Sequence, residues 1–192
     1  MPRIETETLA QHRDWRRSQL IDAAAAIALE SGGAAVTVAA VAQRAGLSRT
    51  SVYEYFGSSA ELVADLVIDE LHNFAQTLQT AVADCNDATC VVTCWIQGAL
   101  TYIADGRHLL AKALNATAMP ASRSYAIGMA HRALMAPLTQ ALVDLGVKDT
   151  QRALTFIQAI TDASTKRIET GHDAESEIAY AVTFCTNGLA SI

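Results

Sequence analysis

The chain has 192 residues, 51% of them hydrophobic, and a formal net charge of −6. That length supports one sizeable core, or a small domain joined to a medium one, without metal or disulfide staples; charged residues interrupt every long apolar stretch, so nothing approaches the roughly 20 apolar residues of a membrane span. The acidic balance excludes a protein that coats nucleic acid generically, since such proteins are basic throughout.

Residues 1–13 lack the apolar core of a secretory signal, and the four cysteines have no framework-like spacing. The expectation is a cytoplasmic protein with reduced thiols and no disulfide scaffold. Charge is uneven along the chain. Arg3, Arg13, Arg16, Arg17, Arg44 and Arg49 lie in the first quarter, whereas Asp65, Asp69, Glu70, Asp84 and Asp87 crowd the stretch after it. Contact with DNA, if made, belongs to the N-terminal part.

Strand signals are almost absent, so helix is the default reading and the fold class is all-α. Leu20, Ala24, Ile27, Ala28 and Ser31 share a helical face, and Gly32-Gly33 stops that first helix, which runs from about Arg13 to Ser31. Thr37 is a good N-cap for a short second helix carrying Val38, Val41 and Ala42, and Gly46 closes it. Ser48 then caps a third helix, Arg49 to Tyr55. The connection Ala45-Gly46-Leu47-Ser48 is the glycine-containing turn by which a helix-turn-helix crosses its helices, with Leu47 plugging the core between them.

Ser58, with Glu61 three residues on, makes a capping box for a long fourth helix reaching about Asp84, with Val63, Val67, Leu71, Phe74 and Leu78 inward. Further helices are read over about Asp87–Ala104, Gly106–Asn115 and Ala121–Leu145, the last kinked or broken at Pro137. Two clearer helices close the chain, Asp149–Thr170 and Asp173–Asn187, separated by a hinge at Gly171.

The stretch Thr37-Val38-Ala39-Ala40-Val41-Ala42-Gln43-Arg44-Ala45-Gly46-Leu47-Ser48-Arg49-Thr50-Ser51-Val52-Tyr53-Glu54-Tyr55-Phe56 closely resembles the helix-turn-helix signature of TetR-family repressors. With the first helix, the resemblance covers about 50 N-terminal residues; the rest of the chain shares the family's length and helical pattern. It implies an N-terminal three-helix DNA-binding domain over residues 1–57 and a C-terminal ligand-binding and dimerisation domain over 58–192. The expected DNA-binding set is Thr37, Arg44, Ser48, Arg49, Thr50, Ser51, Tyr53, Tyr55 and Ser59.

Within that set, Arg49, Thr50 and Ser51 occupy the first turn of the recognition helix, nearest the base edges. For Arg49 two roles stay open, a bidentate contact to guanine worth about 1–3 kcal/mol of discrimination, or a phosphate contact. Tyr53 and Tyr55 resemble the family's phosphate-contacting positions. Ser59 departs from the family pattern, which usually has a lysine there; a hydroxyl can still bind phosphate, with a salt dependence shallower by up to about one counterion. Arg13, Arg16 and Arg17 are candidates to compensate.

The resemblance also implies that helices after the fourth enclose a small-molecule effector pocket and that the last two pair with their twofold mates in a homodimer. Candidate pocket residues are Phe74, Trp95, Tyr102, His108, Tyr125 and Met129, with ordinary core packing the alternative for each. The apolar stripes of the last two helices, rich in small residues, support the interface directly, through Phe156, Ile157, Ile160, Ile178, Val182 and Cys185. Two copies would read half-sites of double-stranded operator DNA roughly 34–36 Å apart.

No nucleophile with its base, paired carboxylates or phosphate-cradling loop is found at diagnostic spacing, so neither catalysis nor a cofactor is expected. Cys85, Cys90 and Cys94 support an alternative reading, a metal- or thiol-responsive regulator, because Cys90 and Cys94 share a helix face as ligands of a soft metal or a redox pair would. Small buried hydrophobes are the plainer reading of the same residues.

Overall fold

The computed structural model describes residues 9–114 and 120–191, and every regular element among them is helical. The helices are α1 (Leu9–Ser31), α2 (Val38–Ala45), α3 (Arg49–Tyr53), α4 (Ser59–Val82), α5 (Ala88–Ala104), α6 (Leu109–Leu114), α7 (Ser124–Asp144), α8 (Thr150–Glu169) and α9 (Ala174–Leu189), with 3-10 turns at Gly33–Ala35 and Ala121–Arg123. No described helix is long and apolar enough to cross a membrane.

The chain forms two compact units, one comprising the residues up to Glu70 with Leu110–Ile127, the other Leu71–Leu109 with Gly128–Ile192. In the first, Leu20, Ala24, Val41, Val52, Phe56 and Leu62 are fully buried in one core to which Leu114 also contributes. Burying each of the larger side chains contributes about 1.5–3 kcal/mol, which is what lets helices as short as α2 and α3 persist. In the second, α5, α8 and α9 pack on one another around Leu78, Ile96, Leu100, Leu138, Leu142, Ile157 and Ala181.

Helix ends follow local chemistry. Thr37, Ser48, Asp87, Asp149 and Asp173 each accept a backbone N–H in the first turn of the helix they precede. Before α4 the Ser58 hydroxyl accepts the Glu61 N–H at 3.1 Å, while the Glu61 carboxylate reaches back to the Gly57 N–H, also at 3.1 Å, one residue further than the usual reciprocal box. Gly46, at φ +67°, ends α2 with paired bonds from Leu47 N to Ala42 O and Gly46 N to Gln43 O. The same pairing at Gly106, φ +72°, ends α5 and explains why α6 begins at Leu109 instead of the expected Gly106. The expected end of α6 at Asn115 lies outside the described residues.

Two expectations are narrowed or corrected. Of the kink or break expected at Pro137, the break does not occur: α7 continues through it to Asp144. An interior proline costs about 3 kcal/mol, and Leu134, Met135, Leu138, Ala141 and Leu142, all buried on either side of it, outweigh that cost. Nor are all the thiols free, because Cys85 and Cys90 are joined by a disulfide. The turn between α4 and α5 folds the chain back within five residues and leaves their Cα atoms 5.4 Å apart, inside the bonding range; sequence spacing alone does not reveal a turn that tight.

Candidate nucleic-acid interface

The helix-turn-helix is α2, the turn Gly46–Ser48 and α3. Only Val52 of α3 is buried; Arg49, Thr50 and Tyr53 are exposed and Ser51 is half-buried. One face of this short helix is anchored and the other is a polar surface. The Ser48 hydroxyl accepts the Ser51 N–H at 3.0 Å and lies 2.9 Å from the Ser51 hydroxyl, so both oxygens are held in place. Arg49 has no ion-pair or hydrogen-bond partner among the described residues.

The basic side chains of the N-terminal stretch are differently occupied. Arg44 pairs with Glu30 through both Nη atoms at 2.6 Å, a forked arrangement; this hydrogen bond holds the exposed Glu30 carboxyl below the usual carboxylate range and raises the Arg44 guanidinium. Arg17 donates to the buried carboxylate of Asp65 at 2.7 Å and lies over the Phe56 ring. Arg16 packs on Trp15, and Arg13 lies 6.0 Å from the centre of the Tyr55 ring. Arg3 is outside the described residues.

Ser59 opens α4, where its hydroxyl oxygen accepts the Val38 N–H at 3.0 Å. It therefore ties the start of α2 to the start of α4, and its own proton is left for an acceptor. Thr37 and Ser59 thus meet at one corner of the unit, one capping Ala40 and the other satisfying Val38. Sequence reasoning did not anticipate Glu30 or Asp65 as partners of the arginines. Their separations of 14 and 48 residues carry no local signal.

In the second unit, Phe74 stacks on the buried ring of Tyr102 with 4.4 Å between centroids, and the Arg107 guanidinium lies over the same Tyr102 ring at 4.3 Å. Trp95 is buried, its indole N–H donating to the Leu134 carbonyl at 3.2 Å. The His108 Nε2 lies 2.8 Å from Glu169, while its Nδ1 is buried without a hydrogen-bond partner. Met129 is exposed in this unit, and Tyr125 is exposed in the first.

Of the residues expected to form a dimer face, Ile157 and Cys185 are buried in the unit's own core, and Ile160, Ile178 and Val182 are half-buried against it. Phe156 projects outward, 62% exposed, and is joined on the outer face by Tyr180 and Phe184, which stack on each other. A groove of about 580 Å³ between α8 and α9 is lined by Phe156, Ala159, Ile160, Phe184 and Gly188, among others. The aromatic pair Tyr180 and Phe184, four apart on α9, was the available sequence signal for this face.

Residues 20–66 match the family described as bacterial regulatory proteins, tetR family. Over 86 residues the chain is 35% identical to the HTH-type transcriptional regulator BetI of Brucella canis, a match spanning 45% of this chain and 40% of that protein. The fold is similar to those of the fatty acid degradation regulator FadR from Bacillus halodurans (TM-score 0.72, 18% identity, 91% of this chain and 96% of that one) and of FadR from Bacillus subtilis, solved in complex with stearoyl-CoA (0.73, 18%, 89% and 98%). A TetR-like transcriptional regulator from Rhodococcus sp. RHA1 matches as well (0.70, 20%, 92% and 97%). Together with the helix-turn-helix geometry of α2 and α3, these likenesses show that residues 20–66 form a tetR-type DNA-binding segment within a chain whose fold is similar to that of TetR-like regulators.

Proposed function

We propose that the chain is a transcriptional repressor that binds palindromic operator DNA as a homodimer and is released by a small-molecule effector. The observation that carries the reading is the division of α3: Val52 anchors it in the core while Arg49, Thr50 and Tyr53 form an exposed face that a major groove can accept. Arg49, free of intramolecular partners among the described residues, is the side chain assigned to a base edge. Thr37, Arg44, Ser48, Ser51, Tyr55 and Ser59 are assigned to positioning contacts, Arg44 by exchanging or sharing Glu30 for a phosphate.

Exposed Phe156, Tyr180 and Phe184 flanking small residues supply an apolar face suited to a second copy of the same chain. In the effector domain, the Phe74–Tyr102 stack and the unpartnered Nδ1 of His108 offer an apolar wall and a hydrogen-bonding group. The stearoyl-CoA complex of the Bacillus subtilis regulator supports small-molecule binding by this architecture. Helix α4 runs without interruption from residues of the first unit into the second, and the effector is read as biasing the two-state position of this helix.

The test is selection of random duplex DNA on the purified protein at fixed salt, repeated with Arg49→Ala. Enrichment of a palindrome, with about 1–3 kcal/mol of discrimination lost in the variant at one base pair of each half-site, is the expected result. No enrichment even at low salt would refute the operator reading. A uniform weakening across all sequences would move Arg49 to phosphate contact.

A further inference from the structure

The turn between α4 and α5 gathers three sulfurs that the DNA-binding reading does not use. The Sγ atoms of Cys85, Cys90 and Cys94 all lie within 4.8 Å of one another, each half-buried. Cys90 and Cys94 stand one turn apart on α5 with their sulfurs 3.9 Å apart, and Cys85 reaches them from the turn itself. Three sulfurs around one ion at the usual metal–thiolate distance of about 2.3 Å lie about 4 Å from one another, so the α5 pair already has the spacing of a shared ion.

The geometry points to a three-thiolate site for a soft, thiophilic metal ion of low coordination number. No histidine or carboxylate joins the cluster among the described residues, and an all-sulfur set of three favours ions such as Cu(I) over harder ones. Cys90 lies in the first turn of α5, where the helix dipole favours the negative charge of a thiolate complex. Cys94 also lines an open cavity of about 370 Å³ with Thr77, Gln97, Gly98 and Thr101, which provides an entry path.

The Cys85–Cys90 disulfide is the closed form of the same site. Opening it takes two equivalents of an external low-molecular-weight thiol: the S–S bond breaks, both cysteines become thiols, and the reductant leaves as its own disulfide. Binding then displaces the thiol protons to solvent. This inference is independent of operator binding, because it is read by metal binding alone.

The full-length chain, reduced and freed of reductant without oxygen, is titrated with Cu(I) against a chromogenic chelator. Expected are one ion per chain and a thiolate-to-metal charge-transfer band. Loss of affinity in Cys90→Ser and in Cys94→Ser should be at least the roughly 10–100-fold that outer-shell groups are worth at metal sites. Binding unchanged in either variant overturns the site. Should a variant lose its helical circular dichroism, alkylation of the wild-type chain decides: Cu(I) should shield Cys85, Cys90 and Cys94 from iodoacetamide. Cys185, buried and with its thiol pushed up to about 11 by that burial, should stay unreactive with or without the ion. An alkylation pattern indifferent to Cu(I) overturns the site equally.

Discussion

Replacing Asp65 by alanine removes the carboxylate on which two arginines of the first unit converge. Its Oδ2 accepts from Arg17 at 2.7 Å and its Oδ1 pairs with Arg123 at 3.1 Å, and its side chain is only 8% exposed. Breaking a fully buried pair costs about 3–5 kcal/mol because a desolvated charge is left behind, whereas an exposed pair contributes about 0–1 kcal/mol. The two arginine side chains are 40% and 34% exposed and recover part of their hydration when orphaned. The expected destabilisation lies between these limits, about 2 kcal/mol.

Asp69 is the internal control. It lies 3.8 Å from the same Arg17 and is 39% exposed, so Asp69→Ala should cost less than about 0.5 kcal/mol. The assay is urea unfolding followed by circular dichroism, at one fixed protein concentration because self-association adds to apparent stability. The Asp65→Ala penalty should also persist in high salt, since buried pairs are screened far less than exposed ones. Equal effects of the two substitutions, or an Asp65 penalty abolished by salt, would refute the assignment of Asp65 as the buried member of the network.

Two further outcomes follow from the second unit. A Cβ at Gly98 would lie 3.1 Å from both the Ala81 Cβ and the Leu78 Cδ2, so Gly98→Ala should lower the melting temperature. The crowding, about 1–3 kcal/mol, exceeds the helix propensity gained, about 1 kcal/mol, and a raised melting temperature would contradict the close approach of α4 and α5. The hydrogen bonds from Arg167 hold the Glu177 carboxyl below its ordinary 4.5. Because the folded value is the lower one, this pair stabilises fully above the unfolded value and is lost as pH falls through the folded one. The melting-temperature gap between wild type and Glu177→Gln should therefore shrink on acidification below 4.5; a widening gap would reverse the assigned sign.

Much of this protein was legible in one dimension because it is encoded locally. The caps at Thr37 and Ser48, the left-handed glycine at Gly46 and the helical spacing of Val38, Val41 and Ala42 act over three to five residues. The helix order and the helix-turn-helix could accordingly be placed before any coordinates. Only the tertiary structure decided which charges are free. It committed Arg44 to Glu30 and Arg17 to Asp65 while leaving Arg49 exposed, and it turned Ile157 and Cys185 inward while Phe156, Tyr180 and Phe184 face out. It also carried α7 through Pro137 and closed three cysteines into one cluster. These outcomes depend on burial and on contacts between residues distant in sequence, where summed packing outweighs any local preference, and periodicity along the chain does not report that sum.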